Sequence, residues 1–273
     1  MNRLILSLFF IVFLLPASAQ EKKDTLTFTE AIEDNSFLIE EAYNQENHVV
    51  QHISNGYIKN NNFLCSFTQE WPVSGIKHQL SYTIPYSFLN SNSANGIGDV
   101  LINYRYQLFY KDKWACISPR LSFILPTGNS QQGLGTGSFG IQFNLPFSKR
   151  LSDYFVVHLN AGSTDILKAA GYDMTGMAVY SHNLSFYNFG GSIIWLSGSK
   201  FNFMFECLEN LNSSLDLNGS VIHSSETIFN PGLRFAIDIG NLQIVPGLSV
   251  PITFTGNNSE TGVFFYLSFE HPF

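Results

Sequence analysis

Apolar residues recur at every second position along most of this chain, from about residue 48 to the last residue. A period of two is the side-chain spacing of a β-strand that has one apolar face and one polar face. The clearest case lies near 135–147, where one face carries Phe139, Ile141, Phe143, Leu145 and Phe147. Because this pattern dominates the chain, we predict an all-β protein.

About twelve segments alternate in this way, and the connections between them alternate in length. The predicted strands lie near residues 48–59, 62–71, 78–89, 98–110, 113–125, 135–147, 153–163, 184–196, 200–210, 225–238, 241–252 and 263–273. The short connections are 111–112, 148–152, 197–199 and 239–240, and the long ones are 90–96, 127–135, 164–183 and 212–224. Outer-membrane barrels have short periplasmic turns and longer external loops. With an even number of strands, both termini then lie on the periplasmic side.

Composition favours a membrane barrel over the alternative, a soluble antiparallel sandwich. Charged residues make up 13% of the chain and aromatic residues 15%. This share of charge is about half that of a typical soluble domain, and a soluble surface would need more of it. In lipid a sheet must close, because an open edge leaves N–H and C=O groups unpaired. We therefore predict a single transmembrane antiparallel up-and-down β-barrel of about twelve strands, with a short N-terminal lead-in segment.

The two ends of the chain fit an exported protein. Residues 1–19 contain an apolar run followed by Pro16, Ala17, Ser18 and Ala19, which predicts a signal peptide cleaved after Ala19. An uncleaved anchor helix is the alternative, although the run is short for a membrane span. We expect residues 20–47 to form a periplasmic lead-in segment, with a plug in the lumen as one of its possible roles, and 48–273 to form the barrel. The aromatic terminal strand is the expected signal for the barrel-assembly machinery.

The polar half of each strand faces the lumen of such a barrel, so inward charged residues are candidates for a solute path. We select Asp99, Arg105, Arg120, Glu206, Arg234 and Glu270. Such charges either form a structural lattice or make a charged constriction that selects solutes. The two arginines at 105 and 120 are the strongest candidates, because they lie on neighbouring strands. The inward aromatic residues Phe264 and Tyr266 are candidates for stacking on an aromatic solute.

Other kinds of function find little support in the sequence. The three cysteines, Cys65, Cys116 and Cys207, form no C-x-x-C pair, so we predict no metal or redox site, and we expect burial against lipid to keep them inert. The net charge of −7 argues against a nucleic-acid partner. A lipid-modifying enzyme would need His158 or His223 beside a serine, and neither lies in a recognisable catalytic motif. We predict no enzyme and no cofactor.

Several stretches of the central sequence match motifs of a known family. They are GIGDVLINYRY at 96–106, PRLSFILPTGN at 119–129, GSFG at 137–140, LPFSKR at 145–150 and HLNAG at 158–162. Residues 96–162 thus resemble the outer-membrane proteins grouped as the "MetA-pathway of phenol degradation" family, and residues 37–46 resemble their lead-in segment. The resemblance implies a barrel in outer-membrane lipid that passes small solutes, apolar or aromatic compounds among them. A structural or surface-interaction barrel with a blocked lumen is the alternative.

Overall fold

The fold is taken from a computed structural model, which describes residues 32, 36–90, 93–109, 114–172, 177–216 and 218–273. The predicted signal peptide at 1–19 and the predicted turn at 111–112 lie outside the described residues. No helix in the described part of the chain is long and apolar enough to cross a membrane. A single turn of 3-10 helix occurs there, at Ser130–Gln132.

In the described residues, seventeen strand segments form one antiparallel sheet. They are β1 Val49–Lys59, β2 Asn62–Pro72, β3 His78–Leu89, β4 Ala94–Ile97, β5 Val100–Tyr106, β6 Cys116–Ile117, β7 Arg120–Leu125, β8 Gly140–Arg150, β9 Phe155–Tyr172, β10 Ala178–Leu196, β11 Phe201–Leu215, β12 Val221–Phe235, β13 Ile237–Ile239, β14 Leu242–Ser249, β15 Ile252–Thr255, β16 Asn258–Thr261 and β17 Val263–Pro272.

The sheet closes on itself, because β1 pairs with β17 as well as with β2. Gln51 of β1 lies opposite Glu70 on one side and Glu270 on the other. Five barrel strands contain a break, namely β4–β5, β6–β7, β12–β13, β14–β15 and β16–β17, so the segments make a closed barrel of twelve strands. Two breaks contain Pro119 and Pro251, which have no N–H to donate to the ladder. The predicted fold class and strand number are confirmed.

The two faces of the barrel are the reverse of those in a soluble protein. Large apolar residues lie exposed on the outer face, with Phe143 of β8 45% exposed. Polar residues fill the inside, and His158, Asn202 and Arg234 are completely buried. This is the expected distribution when the outer surface meets lipid and the lumen is polar.

The connections follow the prediction only in part. The turns at 151–154, 197–200 and 240–241 are short and lie at the same end as the C-terminus. The predicted long links 164–183 and 212–224 are instead mostly strand. In the first link, β9 and β10 continue as a paired hairpin, and in the second, β11 and β12 do the same. These extensions carry polar residues on both faces, so the alternating pattern that identifies a strand is lost there.

The three cysteines occupy two kinds of environment. Cys65 and Cys207 lie half-buried on outward positions of β2 and β11. Cys116 is buried inside the barrel against Ala42 and Tyr43 of the N-terminal segment. Contact with lipid therefore does not account for Cys116, which is covered by the chain's own lead-in segment.

Phe143→Arg should lower the free energy of unfolding by roughly 2–4 kcal/mol, because it places a guanidinium in the lipid-facing band. The measurement is a urea titration of the protein refolded into lipid. Asn188→Arg is the matched control, since Asn188 lines a cavity inside the barrel, and its cost should be much smaller. Equal losses in the two variants would contradict the assignment of the faces.

Candidate solute path through the lumen

Residues 36–45 lie inside the barrel without regular secondary structure, and we call them the lumen segment. Ile39 and Ala42 are almost completely buried. An irregular chain has no ladder of its own, so its backbone N–H and C=O groups need other partners. Inward side chains of the barrel supply many of them, as the following contacts show.

Glu206 of β11 holds the start of the lumen segment. One oxygen, Oε1, accepts hydrogen bonds from the backbone N–H groups of Phe37, Leu38 and Ile39, at 3.0, 2.9 and 3.0 Å. The other, Oε2, accepts from Asn230 Nδ2 at 2.5 Å. Successive N–H groups that converge on one oxygen make a concave anion site. The sequence predicts that Glu206 faces inward, but the lumen segment as its partner becomes apparent only in the fold.

Polar side chains farther round the barrel hold the middle of the segment. Asn160 accepts from the Glu40 N–H at 2.8 Å and donates to the Glu40 carbonyl at 2.6 Å. Ser148 accepts from the Ala42 N–H at 2.7 Å, and Gln107 donates to the Ala42 carbonyl at 2.8 Å. Neutral side chains thus replace the strand partners that this stretch of backbone lacks.

Glu40 brings together the two arginines selected from the sequence. Its Oε1 lies 2.6 Å from Arg105 Nη2, and its Oε2 lies 2.9 Å from Arg120 Nε. Arg105 also donates to the Tyr43 carbonyl at 2.8 Å. Arg105 and Arg120 lie on neighbouring strands, as expected from the sequence, and are direct partners in the ladder of β5 and β7. Their shared partner comes from the lead-in segment, and no strand pattern could identify it.

Phe37 occupies the inward aromatic surface. Its ring centroid lies 5.7 Å from that of Phe264 and 5.4 Å from that of Tyr266. Gly232 and Gly247 leave the space for it, because a Cβ on either glycine would lie 2.6 or 2.5 Å from ring atoms of Phe37. The two aromatic residues considered for solute stacking are therefore covered by the chain itself.

The remaining selected residues have separate surroundings. Arg234 is buried and donates to the Ile32 carbonyl at 3.0 Å. Asp99 accepts from the N–H and hydroxyl groups of Thr136, at 2.7 and 2.8 Å, and so holds a loop at the far end of the barrel. Glu270 accepts from Gln51 in the wall. Asp99 and Glu270 lie toward opposite ends of the barrel, so the six residues do not form one site.

A cavity of about 570 Å³ lies next to the lumen segment, on the side away from the C-terminus. The lumen segment contributes Leu38 and Glu40 to its lining. The wall contributes charged, amide and apolar side chains, including Asp99, Arg120, Gln142, Asn144, Asn188, Leu101, Ile124, Ile166 and Phe186. The cavity can therefore receive a solute with both polar and apolar parts.

The two histidines considered for catalysis each lie beside a serine. His158 Nδ1 is 2.6 Å from Ser148 Oγ, but both residues are completely buried and Ser148 is covered by Ala42. His223 Nδ1 is 3.1 Å from Ser213 Oγ, whose proton goes to the Ser185 carbonyl instead. Neither arrangement presents an activated, accessible hydroxyl. Within the described ranges, no group of three or more His, Cys, Asp or Glu side chains could hold a metal ion.

Known proteins provide a comparison for this fold. No family model and no curated protein matched the sequence. Among solved structures, the COG4313 outer membrane channel from Pseudomonas putida F1 superimposes with a TM-score of 0.60 at 10% identity, over 85% of this chain and 98% of that chain. The NanC porin and the KdgM porin each give a TM-score of 0.51 at 10% identity, over 82% of this chain and 100% and 99% of theirs. The fold is that of outer-membrane β-barrels.

Glu206→Leu should release the start of the lumen segment, because three N–H groups lose their acceptor. Each of the two buried ones, on Phe37 and Ile39, costs roughly 1–3 kcal/mol when left unpaired. Hydrogen exchange followed by mass spectrometry should show faster exchange at the amides of Phe37, Leu38 and Ile39. The control is Glu209→Leu on the same strand, where the carboxylate accepts from Thr227 instead. Unchanged exchange in Glu206→Leu would contradict the anchoring role.

Gly247→Ala should destabilise the protein by about 1–3 kcal/mol, because the new methyl group overlaps the ring of Phe37. Adding Phe37→Ala should remove most of that cost, since the clash then disappears. Urea unfolding of the single and double variants gives the coupling. Gly198→Ala, in a turn where a Cβ meets nothing within 4 Å, should leave stability unchanged. Additive losses in the double variant would mean that Phe37 does not occupy this groove.

Proposed function

We propose that this protein is an outer-membrane channel that passes small solutes through its lumen, with the lumen segment as its constriction. The observation that carries the proposal is the closed barrel with a solute-sized cavity, lined by polar and apolar side chains, that ends on the lumen segment. The channels and porins of similar fold support it as analogy, since fold alone does not define function. In this proposal a cleaved signal peptide exports the chain, and the assembly machinery inserts it into outer-membrane lipid.

The way in which the lumen segment is held supports its role as a constriction. Its contacts with the barrel include the ion pairs of Glu40 with Arg105 and Arg120 and many neutral hydrogen bonds. None of these contacts is covalent, and in this proposal the segment shifts while the barrel stays closed. The resemblance to the "MetA-pathway of phenol degradation" family supports apolar or aromatic compounds as one class of solute. The apolar part of the cavity wall, with Ile166 and Phe186, is consistent with that class.

A barrel with a permanently blocked lumen is the second candidate. It is favoured by the buried lumen segment and by the long hairpin of β9 and β10, which could bind a partner. An enzyme is not part of either proposal, because both histidine–serine pairs lack an accessible activated hydroxyl.

Planar-bilayer conductance of the folded protein tests the proposal. We expect small discrete channels from the wild-type protein and larger ones, shifted toward cations, from an Arg105→Ala, Arg120→Ala double variant. Removing both guanidinium groups loosens the lumen segment at Glu40 and leaves the Glu40 carboxylate uncompensated. Negative charge in a pore favours cations.

Lys59→Ala is the control for the loss of positive charge, because Lys59 pairs with Glu260 away from the lumen segment. Its conductance and selectivity should match those of the wild-type protein. A silent bilayer for the wild-type and the double variant, with insertion shown separately, would favour the blocked barrel.

A further inference from the structure

One part of the cavity wall presents hydrogen-bond acceptors without a matching donor. Asn144, Gly162 and Asn188 lie side by side on β8, β9 and β10, because Gly162 is opposite Asn144 in one ladder and Asn188 in the other. An ideal Cβ on Gly162 would lie 2.9 Å from Asn144 Oδ1 and 2.6 Å from Asn188 Oδ1. Glycine thus leaves a cradle into which two amide oxygens point.

The orientation of the Asn144 amide is fixed by its neighbours. Its Nδ2 donates to Glu40 Oε2 at 2.5 Å, and a reversed amide would place two oxygens against each other there. The opposite atom, Oδ1, must therefore face the cradle. Asn144 is only 5% exposed, and its Oδ1 is buried with no hydrogen-bond partner among the described residues. A buried acceptor without a partner is costly and indicates a missing donor.

The groups around the cradle favour a hydrogen-bond donor and disfavour an anion. Among the charged residues that line the cavity, Glu40 and Asp99 are negative and Arg120 is positive, and Glu40 is also paired with Arg105, so these charges largely balance. The guanidinium of Arg120 is already occupied, since Nε donates to Glu40, Nη1 to Asn103 and Ser122, and Nη2 to Gln142. An anionic group in the cradle would face two amide oxygens. A hydroxyl group offers one donor hydrogen, whereas an ammonium group offers three.

We infer that the cradle of Asn144, Gly162 and Asn188 binds the ammonium group of a small primary amine with an apolar body. The apolar body would contact Ile124, Ile166 and Phe186, which line the same cavity. This inference rests on the proposed function for its biological meaning, because it names the class of solute that the channel receives. It extends that proposal to a recognition site with defined residues.

Calorimetric titration of the detergent-folded protein tests the inference, with butylammonium, butanol and butyrate as probes of equal chain length. We expect saturable binding of butylammonium. Butanol and butyrate should bind more weakly by about tenfold or more, because neither can replace the hydrogen bonds of the charged ammonium group. Comparable affinity for butyrate, or no saturable binding of butylammonium, would overturn the inference.

Two variants locate the site. Gly162→Ala fills the cradle with a methyl group. Asn188→Leu removes one of the two acceptors, and the Asn188 side chain makes no hydrogen bond to the described residues that the change would break. Each should weaken butylammonium binding by about tenfold or more. If Gly162→Ala fails to fold, Asn188→Leu alone decides. Gly198→Ala, in a turn where a Cβ meets nothing within 4 Å, is the control and should bind as the wild-type protein does. Equal affinity in the wild-type protein and a folded cradle variant would overturn the inference.

Conductance separates this inference from the proposed function. Discrete channels without butylammonium binding would refute the amine site and leave the channel standing. Butylammonium binding in a barrel that never conducts would support the site and refute the channel.

Discussion

Every backbone N–H and C=O group that is removed from water needs a hydrogen-bond partner, and the structure of this protein depends on that requirement. In the wall, the requirement is met by closure, because β1 pairs with β17 and leaves no open edge. In the lumen, it is met by side chains, because the lumen segment has no strand to pair with. Glu206, Asn160 and Ser148 supply the partners that a ladder would otherwise provide. One constraint thus explains an apolar exterior and an interior rich in amides and hydroxyls.

The same contacts explain why the interior charges do not form an open charged ring. Arg105 and Arg120 share the carboxylate of Glu40, and Glu206 is used by three backbone N–H groups. The charges therefore serve first to hold the lumen segment in place. Burying ions in this way is costly unless each one is paired and hydrogen-bonded. What remains for a solute is the neighbouring cavity, where the lining includes an unpartnered acceptor on Asn144.

The sequence predicted the strands of the barrel better than the structure inside the lumen. Strict alternation located β8 and β17, since lipid on one side and polar lumen on the other impose a period of two. It failed at the extended hairpins 164–183 and 212–224, where polar residues occur on both faces and the period of two is interrupted. It also identified Arg105, Arg120, Glu206 and Arg234 as inward residues from parity alone. The partners of these residues are distant in the sequence, and Arg105 and Glu40, for example, are more than sixty positions apart. No local pattern could therefore reveal them.

The sequence by itself determined that the chain forms an antiparallel barrel of about twelve strands and which side of each strand is polar, because both follow from local alternation and strand count. The tertiary structure decided how the lumen is filled. Residues 36–45 carry no periodic signal, and their position depends on complementary groups from many strands, such as Gly247 beside Phe37. The cradle at Gly162 is likewise a product of register, because it exists only where β8, β9 and β10 bring two asparagines to either side of one glycine.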